Sequence, residues 1–415
     1  MIAIIGCGPA GMSAAILLHD AGYPVEIREQ FHQPGPVGSG LMLQPTGLAV
    51  LQQLGLRDQC EALGQRIDRM SGRLAPAGKV VLDIRYGALD PDLYGIAIHR
   101  AALFDVLYQA VLSRKIPVVT DTAVADMQVN SSKSQSPTAT LLDREGRVVA
   151  SQVELVVDAS GSQSKLLGHA VQPPLRKPLE YGALWTTVKL DGNVFAHNCL
   201  EQRYKAASVM AGVLPCGNMP GGTDELATLF WSIKSTDYQR WLQHGLERWT
   251  AEICSHWPQL EVLMPELNDQ RQFTHATYSH HTLRKPYGDA IVFIGDAAHA
   301  TSPQLGQGAN MALLDSWALC QALKRCEAFK DRQGLKRADA LSGAVAEYAR
   351  VRRAHVNFYQ WVSHLLTPFY QSDSSVLPWL RDTFFEPASR VPGMPSLITR
   401  LGAGMMLSPL TNSGL

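Results

Sequence analysis

The opening of the chain constrains its fold more than any other stretch. Residues 2–5 (IAII) form a short apolar run that fits a buried strand. Gly6-Cys-Gly8-Pro9-Ala10-Gly11 follows at once, and residues 12–21 carry an apolar helix that Gly22 ends. Residues 25–28 (VEIR) read as a second strand that stops at Glu29. In such a βαβ unit the three glycines make a tight turn, admit a pyrophosphate and let helix pack on strand. The helix N-terminus then faces the phosphate charge. Glu29 stands 18 residues after Gly11, next to Arg28 at the strand end, where a carboxylate accepts hydrogen bonds from both ribose hydroxyls of an adenosine. A glycine turn in a plain βα unit would explain Gly6 but gives no reason for an acid at 29. The unit is expected to bind a dinucleotide.

Downstream, a glycine-rich loop at 35–40 precedes a helix at 45–54, and residues 67–86 have strand character with turn signals at Gly72 and 76–78. A helical period resumes at 100–112. Strands are expected at 118–129 and 140–143, flanking an exposed polar loop (NSSKSQSPTAT), and at 153–157 before Asp158-Ala-Ser160-Gly161. From 172 to 285 the texture changes to strand-like runs (ALWTTVKL, SVMAGVL, LATLFWSI) with one helical insert at 236–255. Nucleotide-site texture returns at 290–294, followed by helices at 307–326 and 344–366 and a proline-rich, apolar tail that reads as a wrapping segment. The fold class expected is α/β: a Rossmann-like dinucleotide-binding domain with an inserted mixed β-sheet substrate domain and a C-terminal helical segment. Its parts are 1–171, 172–285, 286–370 and 371–415, with 67–99 as candidate strands for the substrate domain.

The run Gly295-Asp-Ala-Ala-His-Ala-Thr-Ser-Pro303-Gln-Leu-Gly306-Gln-Gly308-Ala309-Asn310 resembles the second FAD signature of the FAD-dependent aromatic hydroxylases, the class A flavoprotein monooxygenases typified by p-hydroxybenzoate hydroxylase. The pattern there is a strand, GDAAH, then P-x-x-G-x-G-x-N leading into a helix. By that resemblance Asp296 binds a ribityl hydroxyl, Gly306 and Gly308 let backbone approach the isoalloxazine, and Ala309 and Asn310 follow on the helix. The positive end of that helix faces the N1 and C2 carbonyl edge. Arg100 stands where the family has an arginine near the ribityl and phosphate region, Val124 matches an adenine-side strand, and Gly161 follows the usual D-G position. The loop 38–45 matches a mobile segment at the flavin edge. The resemblance covers 1–170 and 285–365 well and 172–285 only in texture. One departure is clear: the family usually reads ADGxxSxVR, with an aspartate associated with both FAD and NAD(P)H, where this chain has Ser160, which carries no charge.

What the resemblance implies is a cycle in which NAD(P)H reduces FAD, O2 adds at C4a, and the hydroperoxide transfers its distal oxygen to a small aromatic or apolar substrate. Pro303 matches a proline whose carbonyl lies near substrate and flavin. Trp185, Met210, Phe230 and Trp231 are candidate pocket lining, and Tyr278, His280 and His281 candidates to assist deprotonation of a phenol. Baeyer–Villiger insertion, reduction of an isoprenoid-like substrate and a non-enzymatic flavin sensor stay open. A flavin halogenase is disfavoured because none of the eight tryptophans is followed by another two residues on.

Composition narrows the partners. Lys+Arg and Asp+Glu number 37 each, so no basic excess argues for nucleic acid. Seven scattered cysteines fit reduced thiols better than a disulfide framework, and their spacing matches neither a redox pair nor a metal site. No run reaches the roughly 18 apolar residues of a membrane span. A cytoplasmic enzyme of small molecules is expected, with its oligomeric state and its NADH or NADPH preference left open.

Overall fold

The computed structural model describes residues 1–35, 38–76, 78–132, 135–329, 335–389 and 391–415. Two sheets position the site. The first has six strands in the order Tyr287–Gly288, Ile291–Phe293, Leu155–Asp158, Ile2–Ile5, Val25–Arg28 and Val118–Val119, parallel except at the Tyr287–Gly288 edge. Ile2–Ile5 and Leu155–Asp158 are buried throughout, which suits near-continuous apolar runs in a sheet covered on both faces. Register aligns their ends: Ile5 pairs with Arg28 and Asp158, and Asp158 with Phe293. The segments that follow, beginning at Gly6, Glu29, Ala159 and Ile294, therefore leave the sheet along one edge, where doubly wound sheets bind ligands.

The second sheet is mixed and has seven strands: Thr274–Ala276, Tyr181–Lys189, Leu226–Lys234, Val209–Gly217, Cys199–Lys205, Arg69–Leu74 and Val80–Arg85. Two of its strands thus come from the 67–99 stretch, with Cys199–Lys205 parallel to Arg69–Leu74. One face packs on the helix Tyr238–His256, burying Leu184, Val213, Leu229, Trp231, Trp249 and Trp257. That helix is interrupted at Gly245, where φ is 76° and ψ 171°.

Three expectations need correction. The first helix spans Pro9–Asp20, starting earlier than 12, because Pro9 is preset for the first helical position. The polar run near 130–140 is not a loop. Asp126–Ser132, Gln135–Leu142 and Val148–Val153 form an antiparallel meander whose Met127, Ala139, Leu141 and Val153 are buried at alternate positions. Lys133 and Ser134 of that run, and residues 36–37 of the glycine-rich loop, lie outside the described residues. The tail is helical: Val376–Ser389, Met394–Gly402 and Pro409–Ser413 follow the long helix Leu335–Tyr370. Among the described residues no helix is long and apolar enough to cross a membrane.

Candidate flavin site

The glycines of the first motif have different surroundings. Gly6 has φ +104°, and a Cβ there would lie 2.7 Å from Ala159 O, so backbone geometry and packing both require glycine. A Cβ at Gly11 would run into Gly6 O. At Gly8 nothing lies within 4 Å. The helix starts there with no side-chain cap and no acid in its first turn, leaving its amide end to an anion. Pro9 occupies the first turn, and Ala10 packs against Gly295, so the two glycine motifs touch. Ser316 reinforces this contact by donating to Ala10 O at 2.9 Å.

Glu29 is buried, and its carboxylate accepts from Cys7 N–H at 2.7 Å and from Phe31 N–H at 3.2 Å. It therefore braces the glycine turn while keeping lone pairs for a ribose. Arg28 is held internally, donating to Glu26 at 2.7 Å and to Val149 O at 2.7 Å. Val124 is half-buried beside the meander, in a connecting segment and not in a strand. Arg100 opens the helix Arg100–Ser113 with its N–H on Ser39 O, and its side chain lies 3.1 Å from where a Cβ at Gly38 would sit.

In the second motif Asp296 is the exposed residue in an otherwise buried run from 291 to 300. A Cβ at Gly308 would meet only Asp296 Oδ1, at 3.8 Å. Gly306 is left-handed at φ +61°, ending the Pro303–Leu305 turn, and the helix Gly308–Arg325 begins without an acid in its first turn. Pro303 and Ala309 are part-exposed beside it. Asn310 is fully buried: it accepts from Gln44 N–H at 2.8 Å and donates to Met42 O and Gly306 O at 3.1 Å each. It positions the loop. Around that loop Gln44 Nε2, Thr46 Oγ1 and Gln307 Oε1 are buried without hydrogen-bond partners. Tyr86 donates to Gln44 Oε1, which leaves the Gln44 amide N–H groups free beside Gly306. Buried orphans of this kind normally have a partner. Thr46 Oγ1 and Gln307 Oε1 both face Gly404 of the C-terminal segment, 2.8 and 2.6 Å from where a Cβ would sit, so they tie that segment to the loop.

At the departure the turn is held by Asp158. The carboxylate is at 158, fully buried, and accepts from Ser160 N at 3.0 Å, Ser160 Oγ at 2.6 Å and Ser164 Oγ at 2.5 Å. Burial raises its pKa, with the serine hydrogen bonds opposing. Gly161 follows at φ +83° with open space around it.

Sequence reasoning missed a buried polar chain behind the second motif. Asp315 Oδ2 binds His299 Nε2 at 2.5 Å and Gly295 N–H at 2.9 Å, while Oδ1 accepts from Arg352 Nε at 2.7 Å. His355 Nδ1 lies 3.3 Å from Arg352, and its Nε2 lies 3.0 Å from Gly404 O. Burial alone would raise Asp315, but His299 and Arg352 outweigh it and hold the carboxyl at about 2. The available signal was an acid inside the apolar string MALLDSWAL, with Arg and His three apart on the next long helix.

The four candidate lining residues divide between two faces. Trp185 packs against Phe230 with the rings tilted and their centroids 4.8 Å apart, and Met210 and Phe230 share a cluster. Trp231 points the other way, edge-on to Trp249 and stacked on His256 beneath the helix. Consecutive strand residues face opposite sides, so Phe230 and Trp231 could not both line one pocket. The Trp185 face abuts the flavin half: His99 Nε2 lies 3.1 Å from Thr187 Oγ1, and Gly40 N–H donates to Thr228 Oγ1 at 2.6 Å. Tyr278 Oη accepts from Trp185 Nε1 at 2.9 Å, and burial pushes its pKa up to about 12 against the opposing effects of Trp185 and Arg100. His280 is held at about 4 by burial and then by His364 and Lys177. His281 is buried with Nε2 3.2 Å from Ala297 O, and burial lowers its pKa.

Residues 1–349 match the family model described as FAD binding domain. The 3-amino-4-hydroxybenzoate 2-monooxygenase of Streptomyces cremeus is 25% identical over 345 residues, covering 78% of this chain and 78% of that protein. The 3-hydroxybenzoate 6-hydroxylase of Klebsiella oxytoca is 23% identical over 409 residues, covering 92% and 98%. Among solved structures, Klebsiella pneumoniae HpxO complexed with FAD and uric acid superposes with a TM-score of 0.77 at 19% identity, covering 96% of each chain. That likeness is one of fold.

Proposed function

The chain belongs to the FAD binding domain family, among FAD-dependent aromatic hydroxylases, and from that premise we propose that it uses NAD(P)H and O2 to hydroxylate a small, planar aromatic substrate. The observation that carries this reading is the shared edge: Gly8, Glu29, Asp296 and Gly308 follow strand ends in one row, and the Trp185–Phe230 face abuts the same half. Bound FAD supplies hydride acceptance and oxygen activation, which no side chain provides. Gly8 and the first helix would hold its pyrophosphate, Glu29 its adenosine ribose and Asp296 its ribityl chain, with Gly308 leaving room for its ring. In this reading 1–171 without the strands Arg69–Leu74 and Val80–Arg85, together with 286–370, form the flavin half, and 172–285 with those two strands the substrate wall.

The chain's own groups then orient substrate and exclude water. Trp185, Met210 and Phe230 offer flat and polarisable surface to an aromatic ring. Tyr278 stays protonated at neutral pH, accepts from Trp185 and has its own O–H free to donate to a substrate oxygen. It therefore positions a phenol or carbonyl and does not act as a base. Screening phenols, hydroxypyridines and quinolones for accelerated flavin reduction tests the reading. Acceleration by one class, with matching NAD(P)H and O2 consumption, is the expected result. Reduction that no aromatic compound accelerates, with no oxygenated product, overturns it.

A further inference from the structure

Uncompensated positive charge gathers beside the second motif, outside the residues assigned to the flavin. Arg284 and Lys285 occupy the turn between the Ser279–His280 and Tyr287–Gly288 strands. Phe293 N–H donates to Pro286 O at 2.9 Å, so this turn lies at the strand end from which Gly295 and Asp296 emerge. Arg353, Asn357 and Gln360 face it from the long helix at i, i+4 and i+7, and Gln172 and Thr282 complete one pocket. The lining holds no carboxylate. Among the described residues Arg284, Lys285 and Arg353 take part in no salt bridge, and all three are exposed. Arg352, one residue earlier, is buried on Asp315, so adjacent arginines on this helix serve opposite sides. Gln360 is buried and donates to His299 O at 2.9 Å, which places the pocket one hydrogen bond from the GDAAH turn.

We propose that this pocket binds a phosphate dianion, and that in turnover the dianion is the 2′-phosphate of NADPH, which makes NADPH the preferred reductant. The identity of the dianion rests on the oxygenase reading above; the phosphate site does not. Cations reaching in from two elements, with amide and hydroxyl donors between them, suit a tetrahedral dianion better than a planar monoanion. With no acid in the lining, nothing in the pocket competes for those cations. NADH offers only a hydroxyl at the same position. Because the cations are exposed, the preference weakens as salt rises.

The test uses the holoenzyme with Arg284→Ala and Arg353→Ala, substitutions on separate elements and away from the flavin motifs. Flavin reduction is followed by rapid mixing with NADPH and with NADH, and 2′-AMP and inorganic phosphate are titrated without turnover. The wild type is expected to favour NADPH by about tenfold or more, and each variant to lose about tenfold in NADPH affinity with NADH unchanged. Binding of 2′-AMP and phosphate weakens in parallel. A wild type with no preference, or both variants with an unchanged NADPH to NADH ratio, overturns the assignment while leaving the oxygenase reading intact. If neither nucleotide reduces the flavin, that reading fails instead. The phosphate site then stands if titrated phosphate binds and both variants abolish it, and falls if phosphate does not bind.

Discussion

Gly8 and Gly11 sit three residues apart in one motif, yet substituting them should have opposite consequences. Gly8 has extended backbone, φ −83° and ψ −179°, which any residue adopts, and no atom within 4 Å of a Cβ. In Gly8→Ala, lower unfolded-state entropy stabilises by roughly 0.4–1 kcal/mol, and loss of a glycine N-cap costs about as much. Apoprotein stability should stay within about 1 kcal/mol of wild type. The new methyl, and more so the branched side chain of Gly8→Val, fills the space where a pyrophosphate must approach the helix amides. Loss of two charge-assisted hydrogen bonds costs about 3–6 kcal/mol, or roughly two to four decades in Kd for FAD. Gly11→Ala instead drives a methyl into Gly6 O and should destabilise the apoprotein by about 1–3 kcal/mol. Urea melts of the apoprotein and flavin-fluorescence titration with FAD separate the two effects. Normal FAD affinity in Gly8→Val, or a Gly8→Ala apoprotein as unstable as Gly11→Ala, refutes the division of roles.

Acid sensitivity follows from buried imidazoles: burial, then Arg352, holds His355 at about 3, and His280 lies at about 4. The unfolded chain protonates both rings below about pH 6.5 while the folded protein does not, so stability should fall as pH drops from about 6.5 toward 3. His355→Gln should flatten that slope in pH-dependent melts, and an unchanged slope contradicts the assignment. Trp231→Ala should cost about 3–5 kcal/mol of stability with KM for the aromatic substrate unchanged, whereas Phe230→Leu should raise KM; a KM effect confined to Trp231 reverses the assigned faces. Ser160→Asp puts a second carboxylate beside buried Asp158 and should destabilise by about 1–3 kcal/mol, with recovery in the double variant carrying Asp158→Asn; wild-type stability in the single variant argues against this turn geometry.

The flavin half was legible because its signals are local. A glycine motif between strand and helix, an acid within the same βαβ unit at the second strand end and the GDAAH string are each read from one continuous stretch, and the sheet register then aligns them. Features that depend on distant partners were harder to read. Asp315, His299 and Arg352 come together only after three helices pack, and no short window joins them. The polar run near 130 has the composition of a loop, although Ala139 and Leu141 mark a period of two. The same alternation separates Phe230 from Trp231, a division already carried by their adjacent positions in one strand. Ser160 could be identified as a departure from sequence alone. That Asp158 would hold both serines required the turn itself.

Product analysis under isotopically heavy dioxygen tests oxygen insertion by this FAD enzyme most directly. Once an aromatic compound that accelerates flavin reduction is found, turnover with NADPH in labelled dioxygen should give product carrying one heavy oxygen atom. The protein should release FAD on denaturation. Product whose new oxygen comes from water, or NADPH oxidation that yields only hydrogen peroxide with every aromatic compound tried, contradicts the account.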